Sequence, residues 1–119
     1  MNQQTKNNLS EIIIQMVGTI LNGSPRSLPF ETVHAGLLMA QVAWNREVDN
    51  EYDAENEYLS LIKKLESSHK SLMDAFIFKN SELLINSMRK FKRVNYSNDK
   101  RFITFCGYDK TGKLKVTSE

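Results

Sequence analysis

Two histidines each follow a glutamate by three residues, in Glu31-Thr-Val-His34 and Glu66-Ser-Ser-His69. On a helix this spacing sets carboxylate and imidazole on one face, as carboxylate-bridged di-metal bundles present their ligands. If the segments that hold them run antiparallel as neighbours, Glu31, His34, Glu66 and His69 converge at one end of a bundle and form a candidate metal site. A complete di-metal set needs one more glutamate from each of two further helices. Glu11 would lie at the opposite end, and Glu82 is in reach only if the chain breaks near Asn80. A histidine near a helix C-terminus is also favoured by the helix dipole, which gives His69 a structural role without metal. No cofactor is assigned on these grounds.

The stretch "MRKFKRVNYSNDKRF", residues Met88 to Phe102, puts six cations and one acid beside three aromatic rings. On a helix, Arg89, Lys92 and Arg93 share a face while Met88, Phe91 and Val94 continue an apolar stripe. Tyr96 and Phe102 are freer. With Lys100 and Arg101, and with Lys113 and Lys115 further on, these cations form a candidate phosphate or nucleic-acid surface. The same cations suit a helix C-terminus, where positive charge is stabilised with no ligand at all. The net charge of +2 is small for a nucleic-acid binder, and no helix-turn-helix, zinc-finger or RNA-binding signature is present.

Other chemistries fail on their own requirements. Cys106, the single cysteine, excludes an internal disulfide and a multi-thiolate zinc site, and neither histidine stands in a sequence relation that would activate it as a nucleophile. It reads as a buried strand cysteine. Gly18 and Gly23 have phosphate-loop spacing, but Ser24-Pro25 occupies the place of the lysine and hydroxyl residue. A calcium loop from Asp49 would need glycine where Ala54 stands and glutamate where Ser60 stands. No dinucleotide fingerprint or nucleophile elbow occurs. The expectation is a protein that is not an enzyme.

A chain of 119 residues has room for one domain and one core, so residues 1–119 are expected to form a single domain. The small net charge conceals two blocks, with six acids and no cation from Glu47 to Glu57 and six cations from Arg89 to Arg101. The apolar run Ile12 to Leu21 is too short to span a bilayer and has no basic flank or cleavage site typical of a leader, so the cytoplasm is the expected compartment, without a membrane.

The elements that must position these groups read as a mainly α fold, a four- or five-helix bundle over about 8–95 with a C-terminal β-hairpin over about 101–117. Asn8 or Ser10 caps a first helix whose apolar face is Leu9, Ile12, Ile13, Met16, Val17, Ile20 and Leu21, and Asn22-Gly23 stops it. A second helix starts near Phe30 or Glu31 with Val33, Leu37, Ala40 and Trp44 on one side. Asn45, Asp49, Asn50 and Asp53 favour caps and turns after it. A third buries Tyr58, Ile62 and Leu65, with Leu59 and Leu61 beside them. The spacing of Met73, Ile77, Leu84, Met88 and Phe91 suits one continuous helix, although Asn80-Ser81-Glu82 can cap a new one.

"RFITFCGY", "DKTG" and "KLKVT" then read as strand, turn and strand. With Gly112 at positive φ, Asp109 pairs with Lys113, and Cys106, Tyr108, Leu114 and Val116 share one face. Ile103 and Phe105 point the other way and become candidate interface residues, because a two-stranded hairpin with apolar groups on both faces needs cover. The simplest closed solution is a homodimer. The reading that follows is a small protein-interaction or regulatory module, its partner another protein or itself. The alternatives are a nucleic-acid-binding regulator and a Glu/His metalloprotein.

Overall fold

A computed structural model describes residues 8–23, 27–49 and 80–119, together with the single positions Asn56, Leu59, Ser60 and Lys63. The first helix, α1, runs Leu9–Leu21. The Asn8 side chain caps it by accepting from the Ser10 amide at 2.7 Å, and Asn22 ends it in the left-handed conformation at φ 57°. Asparagine tolerates that region where most side chains do not. The Gly23 amide then reaches back to the Gly18 carbonyl at 2.9 Å, which satisfies an otherwise orphan group.

Helix α2, Phe30–Val48, is the centre of the molecule. Its residues 35–37 and 42–45 are buried in unbroken runs, as expected of a helix covered on all sides. It packs against α1, against α3 (Ser81–Asn95) and against the first strand, β1 (Ile103–Tyr108). The second strand, β2 (Leu114–Ser118), packs on α1. Ile13, Met16 and Val17 of α1, Leu37, Met39 and Trp44 of α2, Leu84 and Met88 of α3 and Ile103 and Cys106 of β1 belong to one core.

The four- or five-helix bundle is therefore corrected: the described residues form three helices and a two-stranded antiparallel hairpin. What holds is a mainly α-helical chain with a C-terminal β-hairpin. The hairpin packs on the helices, β1 against α2 and β2 against α1. Of the expected third helix, Tyr58, Ile62 and Leu65 lie outside the described residues, as does the stripe at Met73 and Ile77, while Asn56, Leu59, Ser60 and Lys63 are helical. Leu59, which is described, is 52% exposed. A new helix starts at Ser81, so the chain follows the Asn80 alternative, although the Asn80 side chain makes no capping bond.

The hairpin turn is as expected. Asp109 N–H donates to the Lys113 carbonyl at 2.8 Å, and Gly112 takes φ +84°, which a side chain would disfavour. Cys106 lies opposite Val116 and Tyr108 opposite Leu114. Earlier in β1 the register shifts between Ile103 and Phe105. This extra residue turns Ile103 inward, where it is fully buried, while Phe105 stays outward. The expected sharing of one face by Ile103 and Phe105 is thus corrected, because a bulge reverses the alternation that a regular strand would keep.

Candidate interaction surface

Four of the six cations of the basic stretch are engaged within the chain. Arg89 Nε donates to Glu47 Oε2 at 2.7 Å, and Arg93 reaches both Glu47 oxygens at 3.1 Å. Glu47 stands in the last turn of α2, where the dipole disfavours an acid, and the two guanidiniums offset that. Burial pushes its carboxyl up, but the hydrogen bonds from Arg93 and Arg89 outweigh this and hold it below the usual carboxylate range. Arg101 clamps Asp99 in the same way, with a 2.6 Å contact and a bond from its own backbone N–H. Asp99 is held low: burial opposes this, and the Arg101 side chain and amide overcome it.

Lys92 is a buried position of α3 at 2% exposure, whereas Val94, assigned by spacing to the core stripe, is 70% exposed. The buried stripe runs Leu84, Ile85, Met88, Lys92. Lysine fits there because its stem is apolar and its amine finds partners: Nζ lies 4.4 Å over the Trp44 ring and donates to the carbonyls of Asp99 at 2.8 Å and Tyr96 at 3.1 Å. Burial lowers its pKa. Tyr96 is also engaged, its hydroxyl donating to Gln15 at 3.0 Å. Arg89 and Arg93 therefore tie the end of α3 to α2, and Lys92 ties it to the following loop, which Arg101 braces through Asp99. Of the cations expected to contact phosphate, Arg93, Lys100, Lys113 and Lys115 are exposed, and of these Arg93 is already paired with Glu47.

The structure places Glu31 and His34 in the first turns of α2, and Glu66 and His69 lie outside the described residues. The His34 ring meets Phe30 and Tyr108, each with centroids 5.9 Å apart. Among the described residues, no group of three or more His, Cys, Asp or Glu side chains could hold a metal ion. Cys106 is 1% exposed, and burial pushes its thiol up to about 12, which leaves negligible thiolate for nucleophilic chemistry at neutral pH.

The hairpin offers a different surface. Phe105 is 42% exposed on the strand face turned from the core, opposite Thr117, and Lys115 lies opposite Gly107. Beside them is an open cleft of about 350 Å³, lined by Phe105, Tyr108, Asp109, Lys110, Lys115 and Thr117. Phe30, 57% exposed, stacks on Tyr108 with centroids 4.7 Å apart. Burial raises the Tyr108 hydroxyl pKa. Sequence reading found Phe105 and Lys115 but missed Phe30, Tyr108 and Lys110 as parts of one surface. The proline before Phe30, which fixes where α2 starts, was the nearest signal.

Among the described residues, no helix is long and apolar enough to cross a membrane. No protein family, curated protein or solved structure matches the chain.

Proposed function

We propose that this chain is a non-enzymatic interaction module that contacts a protein partner through the outer face of its hairpin. The observation that carries the reading is Phe105, a large aromatic left 42% exposed beside a lysine-rimmed cleft, on a strand whose other face is packed in the core. Exposed aromatics at the centre of a polar rim are what protein contacts are built from. The rival chemistries have less to stand on. The arginines that would line a nucleic-acid surface hold Glu47 and Asp99 instead. The two-fold dimer expected through Ile103 and Phe105 keeps only Phe105, since Ile103 lies in its own chain's core and its backbone is already engaged by Asn45.

Site-specific photocross-linking tests this. A benzoylphenylalanine replacing Phe105 should give one discrete protein adduct in cells, and the same group replacing Lys90, exposed on α3, should give none. An adduct of twice the chain mass identifies a second copy, and any other mass a separate protein. No adduct from position 105, or the same adducts from both positions, overturns the reading.

A further inference from the structure

We propose that the hairpin cleft docks a carboxylate-rich peptide segment of a partner protein, an inference that rests on the interaction surface above and names the chemistry of its occupant. The cleft contains one acid, Asp109, and its carboxylate is turned into the hairpin's own turn. Its Oδ1 accepts from the Thr111 hydroxyl at 2.6 Å, the Thr111 amide at 2.8 Å and the Lys113 amide at 3.0 Å. Lys110, Lys113 and Lys115 are exposed around it, and none makes an ion pair among the described residues. Lys115 is near enough to Asp109 to help hold its carboxyl low, after the Thr111 and Lys113 hydrogen bonds, so one negative charge is shared among three positive ones. The rim is left positive.

The contrast with Arg89, Lys92, Arg93 and Arg101 gives this weight. Arg89 and Arg93 hold Glu47, Arg101 holds Asp99, and Lys92 is buried against carbonyls, so these cations are already answered within the chain. Two of the hairpin lysines, Lys110 and Lys115, line the cleft together with the rings of Phe105 and Tyr108, and Lys113 is exposed in the same turn. That combination favours a segment with carboxylates for the rim and an apolar or aromatic side chain for the floor, and it repels a basic one. A cleft of about 350 Å³ admits a few side chains rather than a folded surface. Nucleic acid is the weaker fit, because a phosphate chain needs a longer basic track and the arginines that would extend it are paired.

The test is fluorescence anisotropy of the full chain with a short fluorescein-labelled peptide of alternating Glu and Tyr. Binding should weaken as salt is raised. Lys110→Glu with Lys115→Glu should reduce affinity about tenfold or more, and Lys115→Gln by a smaller factor, while Lys90→Glu leaves it unchanged. Urea midpoints close to wild type show that these exposed substitutions leave the fold intact. Equal binding of a Lys/Tyr peptide, or affinity indifferent to the hairpin substitutions, overturns the proposal. Tighter binding of a single-stranded oligonucleotide also overturns it and assigns the cleft to phosphates. If position 105 still cross-links a protein while the Glu/Tyr peptide does not bind, the acidic partner fails and the contact surface stands; loss of the cross-link fails the surface itself.

Discussion

The side-chain amide of Asn45 pairs with the backbone of Ile103 as a neighbouring strand would. Its Nδ2 donates to the Ile103 carbonyl at 2.9 Å, and its Oδ1 accepts from the Ile103 amide at 2.8 Å. Asn45 is itself fully buried, one residue after Trp44, whose indole donates to the Arg101 carbonyl at 2.7 Å. The C-terminal end of α2 thereby holds the start of β1 through buried polar bonds, where an unanswered group is costly. It also blocks that stretch of strand edge from another chain.

Asn45→Leu keeps the branching of the side chain and removes both bonds. It leaves the Ile103 amide unpaired and its carbonyl only a 3.4 Å contact with Gln41 Nε2. At about 1–3 kcal/mol for each buried group left unsatisfied, the cost should be about 2–4 kcal/mol. A lower urea midpoint with an unchanged slope would show it. A loss below about 0.5 kcal/mol would mean that the pairing adds nothing beyond packing.

Glu47 controls how the basic stretch looks from outside. Its folded pKa lies below the ordinary 4.5, so its contribution to stability is present above that pH and is lost as pH falls through the lower folded value. Glu47→Gln should flatten the acid limb below about pH 4.5, and Glu47→Ala should cost roughly 1–2 kcal/mol at neutral pH. The same Ala variant releases Arg89 and Arg93, so its affinity for a random oligonucleotide should rise and grow more salt-sensitive. Unchanged oligonucleotide binding would mean that the pairs do not mask these cations.

The parts legible in the sequence were those fixed by neighbours in the chain. Asn8 and Asn22-Gly23 bound α1, and Asp109 with Gly112 set the turn, because caps and turns are chemistry between residues a few positions apart. The parts that were missed join distant residues. Asn45 reads as a turn former and becomes a buried partner for Ile103, 58 residues away. Arg89 meets Glu47 across 42 residues, so a run of cations that looks free in one dimension is paired in three. Lys92 displaced Val94 from the core because a charged residue with internal acceptors can be buried, which periodicity of apolar side chains does not register. The contact of Phe30 with Tyr108, a residue that lines the cleft, joins positions 78 residues apart, and neither residue alone signals the other.

Cys106 gives an alkaline signature. Its folded pKa is raised from 9.0 to about 12 by burial, so the neutral thiol contributes stability that is whole below pH 9 and is lost as pH rises towards 12. Each pH unit in that window removes up to about 1.4 kcal/mol, or about 2 kcal/mol by pH 10.5. Tyr108, raised by burial, acts in the same sense, whereas Lys92, lowered by burial, acts in the opposite sense, since the unfolded chain then holds more protons just below pH 10.5. Comparing wild type with Cys106→Ala cancels both. The variant should lose less stability between pH 8 and 10.5, and the wild-type thiol should resist alkylation until the chain unfolds. Parallel pH profiles, or rapid alkylation of the native protein, would contradict the burial of this strand.

Gly107 separates what the strand needs from what the cleft needs. A methyl placed on it would stand 3.4 Å from Phe105 Cζ and 3.9 Å from His34 Nε2, ordinary contact distances, and its φ is not positive. Nothing in the fold therefore demands glycine, which weakens a strand interior by leaving the chain free and unpacked. Gly107→Ala should hold or raise the urea midpoint, by up to about 1 kcal/mol. Gly107→Val carries its extra methyls into the space beside Phe105 and opposite Lys115, so it should stay folded and bind the Glu/Tyr peptide several-fold more weakly. If Ala unfolds the protein, glycine is there for the backbone. If Val folds and binds as wild type does, the space above Gly107 is not part of the contact.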